Sequence, residues 1–390
     1  MRRAAWRPSV LLVLLIAAAL PGCFGVNGRA TLPGVPENIT KLTLVGQASI
    51  PPLGRFPPTM GLPFGGISAL AKVSEQDVLG VSDGRFGGRV YRFRFGNVGT
   101  ALTVETIDIV PLEMAPGAAQ SDHEGLAVLP NGDLLLAAEG TGREPRRPPT
   151  LTLFGRFGQF LRSLPVPDRF VPEVTGPQTR GARGNASFES LTLSPDGRRL
   201  FTGTETALVQ DDTPATFETG TNGRILEYVA RGGNFEPAAD YIYPIDSIEK
   251  PSHEPGASIN GLVDLLALSR TTLLALERSY VQDKANPQTG TNRIRIYRVA
   301  LAGATDVSKM DSIKGQPGIV PATKTLLLDL SQVSGLSPDL LATRLDNFEG
   351  LSFGPRLPDG RATLVLVSDD NFNPTQRTWF LMFSIGEPPR

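Results

Sequence analysis

The sequence predicts an all-β fold, a ring of four-stranded antiparallel blades, and three observations carry that expectation. Beyond residue 23 no long 3.6-residue apolar period occurs; short Leu-rich or β-branched runs bounded by Gly, Pro, Asn and Asp fill the chain instead. One unit built of such runs returns five times. The fifth unit ends one strand short, while a strand-like run at residues 41–45 precedes the first unit and has no other partner. Joining the two closes a circle and removes the exposed sheet edges, as in a β-propeller.

The unit opens on Gly65-Gly66-Ile67-Ser68-Ala69-Leu70, His123-Glu124-Gly125-Leu126-Ala127-Val128, Phe188-Glu189-Ser190-Leu191-Thr192-Leu193, Ile259-Asn260-Gly261-Leu262-Val263-Asp264 and Phe348-Glu349-Gly350-Leu351-Ser352-Phe353. A turn follows, with hairpin chemistry in Pro130-Asn131-Gly132-Asp133, Ser194-Pro195-Asp196-Gly197 and Leu357-Pro358-Asp359-Gly360. Second strands then finish on an acid, at Asp83, Glu139, Glu205, Glu277 and Asp369. Third strands are expected at 89–95, 151–157, 224–229, 293–299 and 379–385, alternating as half-buried strands do, with Arg89 and Arg293 facing outward. Fourth strands fit 102–110, 161–166, 239–245 and 324–330. Unit openings lie 58, 65, 71 and 89 residues apart (66 to 124 to 189 to 260 to 349), so five blades are counted and the longest gap leaves a sixth open. A sandwich, or two β-domains, fits five copies of one unit less well.

The 42 Gly and 34 Pro read as tight turns, because apolar runs separate them and no collagen period exists. With 38 basic and 39 acidic residues the net charge is -1, which excludes the basic surplus a nucleic-acid binder needs. The start of the chain reads as a targeting segment: Arg2, Arg3 and Arg7, an apolar stretch at 10–20 too short to span a bilayer, then Leu20-Pro21-Gly22-Cys23. That tetrapeptide resembles a bacterial lipobox, so residues 1–23 are expected to direct export and Cys23 to carry a lipid anchor. Cys23 is also the sole cysteine and has no disulfide role. Residues 24–40 read as a tether and 41–390 as the propeller domain, a monomer in the cell envelope on its periplasmic or extracellular face.

Function is expected where the acids meet. In an antiparallel hairpin the start of the first strand lies beside the end of the second, so Glu124 approaches Glu139, Glu189 approaches Glu205 and Glu349 approaches Asp369. Asp83 beside Gly66 and Glu277 beside Asn260 complete the set. Eight carboxylates, Asp83, Glu124, Glu139, Glu189, Glu205, Glu277, Glu349 and Asp369, thus converge on one mouth of the channel. Like charges at that density need a cation, an arginine or protons. A set rich in oxygen and poor in His and Cys suits calcium or magnesium rather than zinc. Arg85 and Arg278 are placed to hold a carboxylate or a substrate anion, with Lys284 as a further cation. Asp122, Asp370, Asn371 and Asn373 are candidate extra oxygen donors. His123, between two acids, is a candidate proton carrier. Lys72 and Asp77 read as solvated surface. Acids at equivalent repeat positions can also cap backbone N–H groups without any ligand.

Only two histidines exist, so a three-histidine zinc centre is excluded, and no serine elbow, Walker loop, Rossmann fingerprint, Cys-x-x-Cys or Arg-His-Gly motif is present. The combination of Asp122-His123-Glu124-Gly125-Leu126, Phe188-Glu189-Ser190-Leu191, Asn347-Phe348-Glu349-Gly350-Leu351 and Ser368-Asp369-Asp370-Asn371-Phe372 resembles the phytase-like family, known by its esterase-like activity of phytase, over roughly residues 60–386. The resemblance implies an exported propeller that hydrolyses a small phosphorylated or ester substrate. Its link to alkaline propeller phytases implies calcium, with His123, Glu124 and Glu349 as catalytic candidates. The rival expectation is a propeller lipoprotein that binds a ligand or envelope partner without catalysis.

Overall fold

A computed structural model describes residues 35–52, 63–84, 87–113 and 122–387. The expected leader, Cys23 and Arg85 lie outside the described residues. Strand β1 (Leu42–Ile50) is followed by β2 (Ile67–Lys72), β3 (Asp77–Ser82), β4 (Arg89–Gly96) and β5 (Thr103–Pro111), which form blade 1. Blade 2 holds β6 (His123–Val128), β7 (Leu134–Ala138), β8 (Thr150–Phe154) and β9 (Phe160–Leu164). Blade 3 holds β10 (Thr192–Leu193), β11 (Arg199–Gly203), β12 (Thr221–Arg231) and β13 (Asn234–Ile245). Blade 4 holds β14 (Pro255–Ala267), β15 (Thr272–Asp283), β16 (Gly290–Ala300) and β17 (Thr323–Asp329). Blade 5 holds β18 (Asn347–Phe353), β19 (Thr363–Asp369) and β20 (Thr378–Ile385), and β1 supplies its fourth strand in the order β1-β20-β19-β18.

Closure is therefore a ladder, Leu42 opposite Ile385 through Ile50 opposite Thr378, with one bulge between Leu44 and Gly46. The apolar cores show the ring from inside, because each large cluster joins two neighbouring blades. Leu79 and Val81 meet Leu126 and Leu136; Leu135 and Leu151 meet Leu200 and Leu226; Phe201 and Tyr243 meet Leu262 and Tyr297. Leu276 and Ile296 meet Leu351 and Leu381, and Phe380 and Met382 return to Phe93 and Phe95. Since both faces of a blade are covered, β20 is buried at every position rather than at alternate ones.

The long interval before the fifth unit holds no sixth blade. Residues 301–322 instead fold back on blade 3, with Val307 N–H donating to Asp240 O (2.9 Å) and Ala322 N–H to Ile242 O (2.8 Å). The buried Arg224 guanidinium anchors this loop by bonding Asp211 (2.7 and 3.0 Å) and Met310 O (3.1 Å). A short helix, Pro338–Ala342, capped by Ser337, fills the approach to blade 5. Among the described residues no helix is long and apolar enough to cross a membrane.

Several surface expectations are corrected. Within residues 35–40, expected to end the tether, two side chains reach the core between blades 4 and 5: Ile39 is buried and Val35 lies against it, while 36–38 and 40 are exposed. Arg89 faces inward, donating to Tyr91 Oη (2.6 Å), Gly87 O (2.9 Å) and Pro63 O (2.8 Å). Asp77 is buried beneath Arg92 and Arg94 rather than solvated, and Lys72 keeps only 8% of its side chain exposed.

Two kinds of glycine in the unit have different causes. Gly132, Gly197 and Gly360 turn the first hairpins at φ of 89°, 71° and 87°, where a Cβ is strained. Gly125, in the acid-Gly-Leu motif, has an ordinary φ but abuts the next blade: a Cβ there would stand 2.6 Å from Ser190 C and 2.7 Å from Leu191 N. Gly125→Ala must therefore push two inner strands apart. It is expected to lower stability by about 1–3 kcal/mol, read from the urea midpoint, and an unchanged midpoint would contradict this packing.

Candidate functional site

Each inner hairpin carries a bulge where it reaches the channel mouth. In blade 2, His123 pairs with Ala138 and Gly125 with Ala137, which leaves Glu124 as the extra residue and Glu139 as the residue just past the partner strand's last pair. Blade 5 repeats this, with Phe348 opposite Ser368, Gly350 opposite Val367, Glu349 extra and Asp369 next. Blade 1 pairs Ile67 with Ser82 and Ala69 with Val81, making Ser68 the extra residue and Asp83 the next. In blade 3 a lone bridge joins Phe188 to Thr204, and Glu189 and Glu205 follow on their two segments. A bulge re-aims the side chain it carries, and in blades 2 and 5 it turns Glu124 and Glu349 into the channel mouth.

Blade 4 departs by one residue. Leu262 pairs with Glu277 and Asp264 with Leu276, so Val263 is the extra residue and Arg278 takes the position held elsewhere by Asp83, Glu139, Glu205 and Asp369. A one-residue shift turns a strand's side chains to the other face. Glu277 accordingly leaves the mouth and is buried towards blade 3, where it accepts from Tyr243 Oη (2.7 Å), Lys324 Nζ (2.5 Å) and Asn260 Nδ2 (3.4 Å). The expected Asn260–Glu277 neighbourhood exists, but away from the channel.

The remaining seven acids of the expected eight, Asp83, Glu124, Glu139, Glu189, Glu205, Glu349 and Asp369, line one cavity of about 260 Å³. Asp122, Asn185, Asn347, Asn371 and Arg278 line it as well. Asn185 and Asn347 were missed in the sequence, since neither ends a strand on an acid. Of the other expected donors, Asp370 is a cap, accepting from Gly66 N and Phe372 N (both 3.0 Å), and Asn373 caps Thr375. Lys284 pairs with Glu254 on the surface. His123, expected as a proton carrier, does not line the cavity. Strand alternation points it outward, edge-on to the Phe154 ring at 6.1 Å, and burial lowers its pKa to about 4.

Eight carboxylates thus face one guanidinium. Arg278 Nη2 lies 3.0 Å from Glu349 Oε1 and 3.4 Å from Glu205 Oε1, and its Nε is buried without a partner among the described residues. Burial opposes the Arg278 charge, yet Glu349, Glu205, Glu189 and Glu124 together raise its pKa. Burial pushes Glu124 well above the usual carboxylate range, and Asp122, Glu349, Glu139 and Asp83 push it further. Glu189 and Asp369 are raised well up chiefly by burial, with the neighbouring acids adding. Burial brings Glu205 to about 8 against the pull of Arg278, and burial also raises Glu349, which Arg278 again opposes. Glu139 reaches about 7 by burial, opposed by bonds from Glu189 and from Ser187 N–H (2.7 Å).

One oxygen each from Asp122, Glu124 and Glu139 lies within 4.8 Å of the other two. This all-oxygen set fits a hard divalent cation, calcium or magnesium, and offers no nitrogen or sulfur for zinc. Among the described residues one guanidinium serves eight carboxylates, and their raised pKa values express the cost of ionising them without further positive charge, which is the second reason a cation fits.

A family model described as phytase-like, esterase-like activity of phytase, matches residues 62–372. No curated protein matches the chain. Among solved structures, the WD40 domain of Toxoplasma gondii coronin is 10% identical, with 90% of this chain and 88% of that one covered and a TM-score of 0.32. A candidate 6-phosphogluconolactonase from Bacteroides uniformis is 16% identical, covering 78% of each chain, with a TM-score of 0.30. The GH74 xyloglucanase of Xanthomonas campestris is 12% identical over 87% of this chain and 54% of that one, with a TM-score of 0.28. At these scores none of the three informs function.

The raised carboxyl pKa values fix the sign of a pH effect. The folded chain retains protons that the unfolded chain has already released, so stability is highest near the ordinary carboxylate range and falls as pH rises through about 7 to 8, where Glu139 and Glu205 ionise. In chelator the melting temperature is expected to drop by roughly 5 °C or more between pH 5 and pH 8. A melting temperature that rises over that interval would contradict the crowded-acid reading.

Proposed function

From the premise that the chain belongs to the phytase-like family, we propose that it is a calcium-dependent hydrolase of small phosphoesters or related esters, working at the acidic mouth of the propeller. The observation that carries this reading is the excess of carboxylates over guanidinium in a cavity of about 260 Å³. An anionic substrate has no reason to approach those acids unless cations reverse the local charge.

Asp122, Glu124 and Glu139 are the residues that would hold a calcium ion, with Glu189, Glu205, Asp83 and Asp369 around them. When bound, the cation would supply charge neutralisation for a phosphoryl oxygen and a lowered pKa for an attacking water. Arg278 keeps Glu205 and Glu349 in place through its bonds to both and, among the described residues, is the guanidinium that lines the cavity an incoming anion would enter. Glu349, whose pKa burial raises and Arg278 pulls back, lines the same cavity and is the carboxyl proposed to carry a proton between water and leaving group. His123 is withdrawn from proton transfer in this scheme, because its ring faces Phe154.

A second reading is a cation-binding propeller without turnover. It is favoured by Glu139 Oε1 accepting Ser187 N–H at 2.7 Å, a strap between blades 2 and 3 that any propeller could use. In either reading we propose export and lipid anchoring through Cys23, on the strength of the basic, apolar and Leu-Pro-Gly-Cys order of the leader. Mass spectrometry of the mature N-terminus is expected to find a diacylated Cys23, and a retained Met1 would refute the anchor.

Full-length protein assayed on phosphomonoesters is expected to turn over in calcium and to lose activity at least about a hundredfold in chelator. Glu124→Gln with Glu349→Gln should cause a comparable loss. No turnover, with a melting temperature that still rises in calcium, would select the binding module; turnover indifferent to chelator would overturn both readings. The blade 4 register adds a separate test. Glu139→Gln should weaken calcium binding, whereas Glu277→Gln should destabilise the fold and leave calcium affinity unchanged, as measured by calorimetric titration.

A further inference from the structure

The inner strands run from the acidic mouth to the opposite end of the axis, where a second cavity of about 780 Å³ opens. The two cavities share no lining residue, and their chemistry is reversed. At the acidic end the strands begin with re-aimed carboxylates. At this end all five leave aliphatic wall, represented by Leu70, Val128, Leu193, Leu266 and Leu351, with Phe353 as the single aromatic ring among the lining residues. Val128, Leu193 and Leu266 are only half-buried, so this wall is partly wetted without an occupant.

The charged groups at the edge have the opposite sign to those of the acidic mouth. Among the lining residues Lys72, Arg198 and Arg270 outnumber one carboxylate, Asp196, with Glu75 beside Lys72 outside the lining. Asp196 is already engaged by Arg270 Nε (2.5 Å) and Ser194 Oγ (2.6 Å). Arg198 makes no ion pair among the described residues. Lys72 reaches the edge along a mostly buried stem, donates to Gly354 O at 2.9 Å and lies 3.6 Å from the exposed Glu75 carboxylate, which still leaves donor capacity on the ammonium. Burial disfavours this ammonium, Glu75 offsets only part of that cost, and a second anion beside it would relieve more.

We infer that this second cavity binds a free aliphatic carboxylate, its chain against the leucine wall and its head among Lys72, Arg198 and Arg270. The size lies within the range of small-molecule pockets. The wall offers aliphatic packing rather than ring stacking, which selects a saturated chain over an aromatic acid. This site is independent of hydrolysis at the acidic mouth and of any cation there.

The full chain is titrated by calorimetry with dodecanoate below its micelle-forming concentration, and with dodecanol and acetate as head and chain controls. Chelator is present throughout, so that calcium at the acidic mouth cannot capture the carboxylate. One dodecanoate per chain is expected, bound about tenfold more tightly than dodecanol, with no detectable acetate binding. Leu266→Asp should abolish binding. Because that change may also disturb folding, the exposed-head variant Arg198→Glu with Lys72→Met is measured too. It should reduce dodecanoate affinity about tenfold and leave dodecanol affinity unchanged. Absence of saturable dodecanoate binding, equal affinity for dodecanol, or indifference to the charge variant would each overturn the inference.

Discussion

The β1–β20 ladder is the interaction on which the rest depends. It joins the two ends of the described chain in one sheet, Leu42 opposite Ile385, and converts five blades into a closed ring. Only in a closed ring does each blade have a neighbour on both faces, which is why Phe380 and Met382 pack against blade 1 on one side and Leu381 and Phe383 against blade 4 on the other. An axis exists only once the ring is shut. With the axis comes the convergence of every inner-strand start at one mouth and every inner-strand end at the other.

That convergence concentrates what repetition placed on each strand. A carboxylate at the end of a hairpin is unremarkable in one blade, and in a ring it faces its copies across a few ångströms. The raised pKa values of Glu124, Glu189 and Asp369 express the cost, with burial as the leading cause and mutual repulsion added. A fold that keeps such a group of acids in low dielectric is less stable than one with neutral residues there, so the acids are best understood through what they recruit. The opposite mouth follows the same geometry with Leu and Val in place of Glu, and the molecule presents two unlike chambers on one axis.

Blade 4 shows how finely the mouth depends on register. By pattern, Glu277 is the fourth blade's contribution, because it closes the second strand as Glu139 and Glu205 do. A bulge at Val263, rather than at Asn260 where the repeat matches Glu124 and Glu349, retires Glu277 to a pocket with Tyr243 and Lys324 and sets Arg278 in its place. The mouth gains Arg278, its single cation among the described residues, bonded to Glu349 and Glu205, by that displacement.

The sequence by itself determined the strand inventory, the five-fold repeat, the closing role of the N-terminal strand and seven of the acids at the mouth, because each depends on short-range periodicity and on turn residues such as Gly132, Gly197 and Gly360. It could not determine which face a bulged strand presents, since a bulge is one extra residue with no residue type of its own. For that reason Glu277 lies away from the mouth where Arg278 lines it, and His123 faces Phe154. Nor could it show that Arg89, Asp77 and Ile39 are buried, because their burial comes from neighbouring blades and from segments distant in the chain. Periodicity is a property of neighbours along the chain; side-chain direction past an irregularity, and burial by another blade, are settled only when the sheets pack.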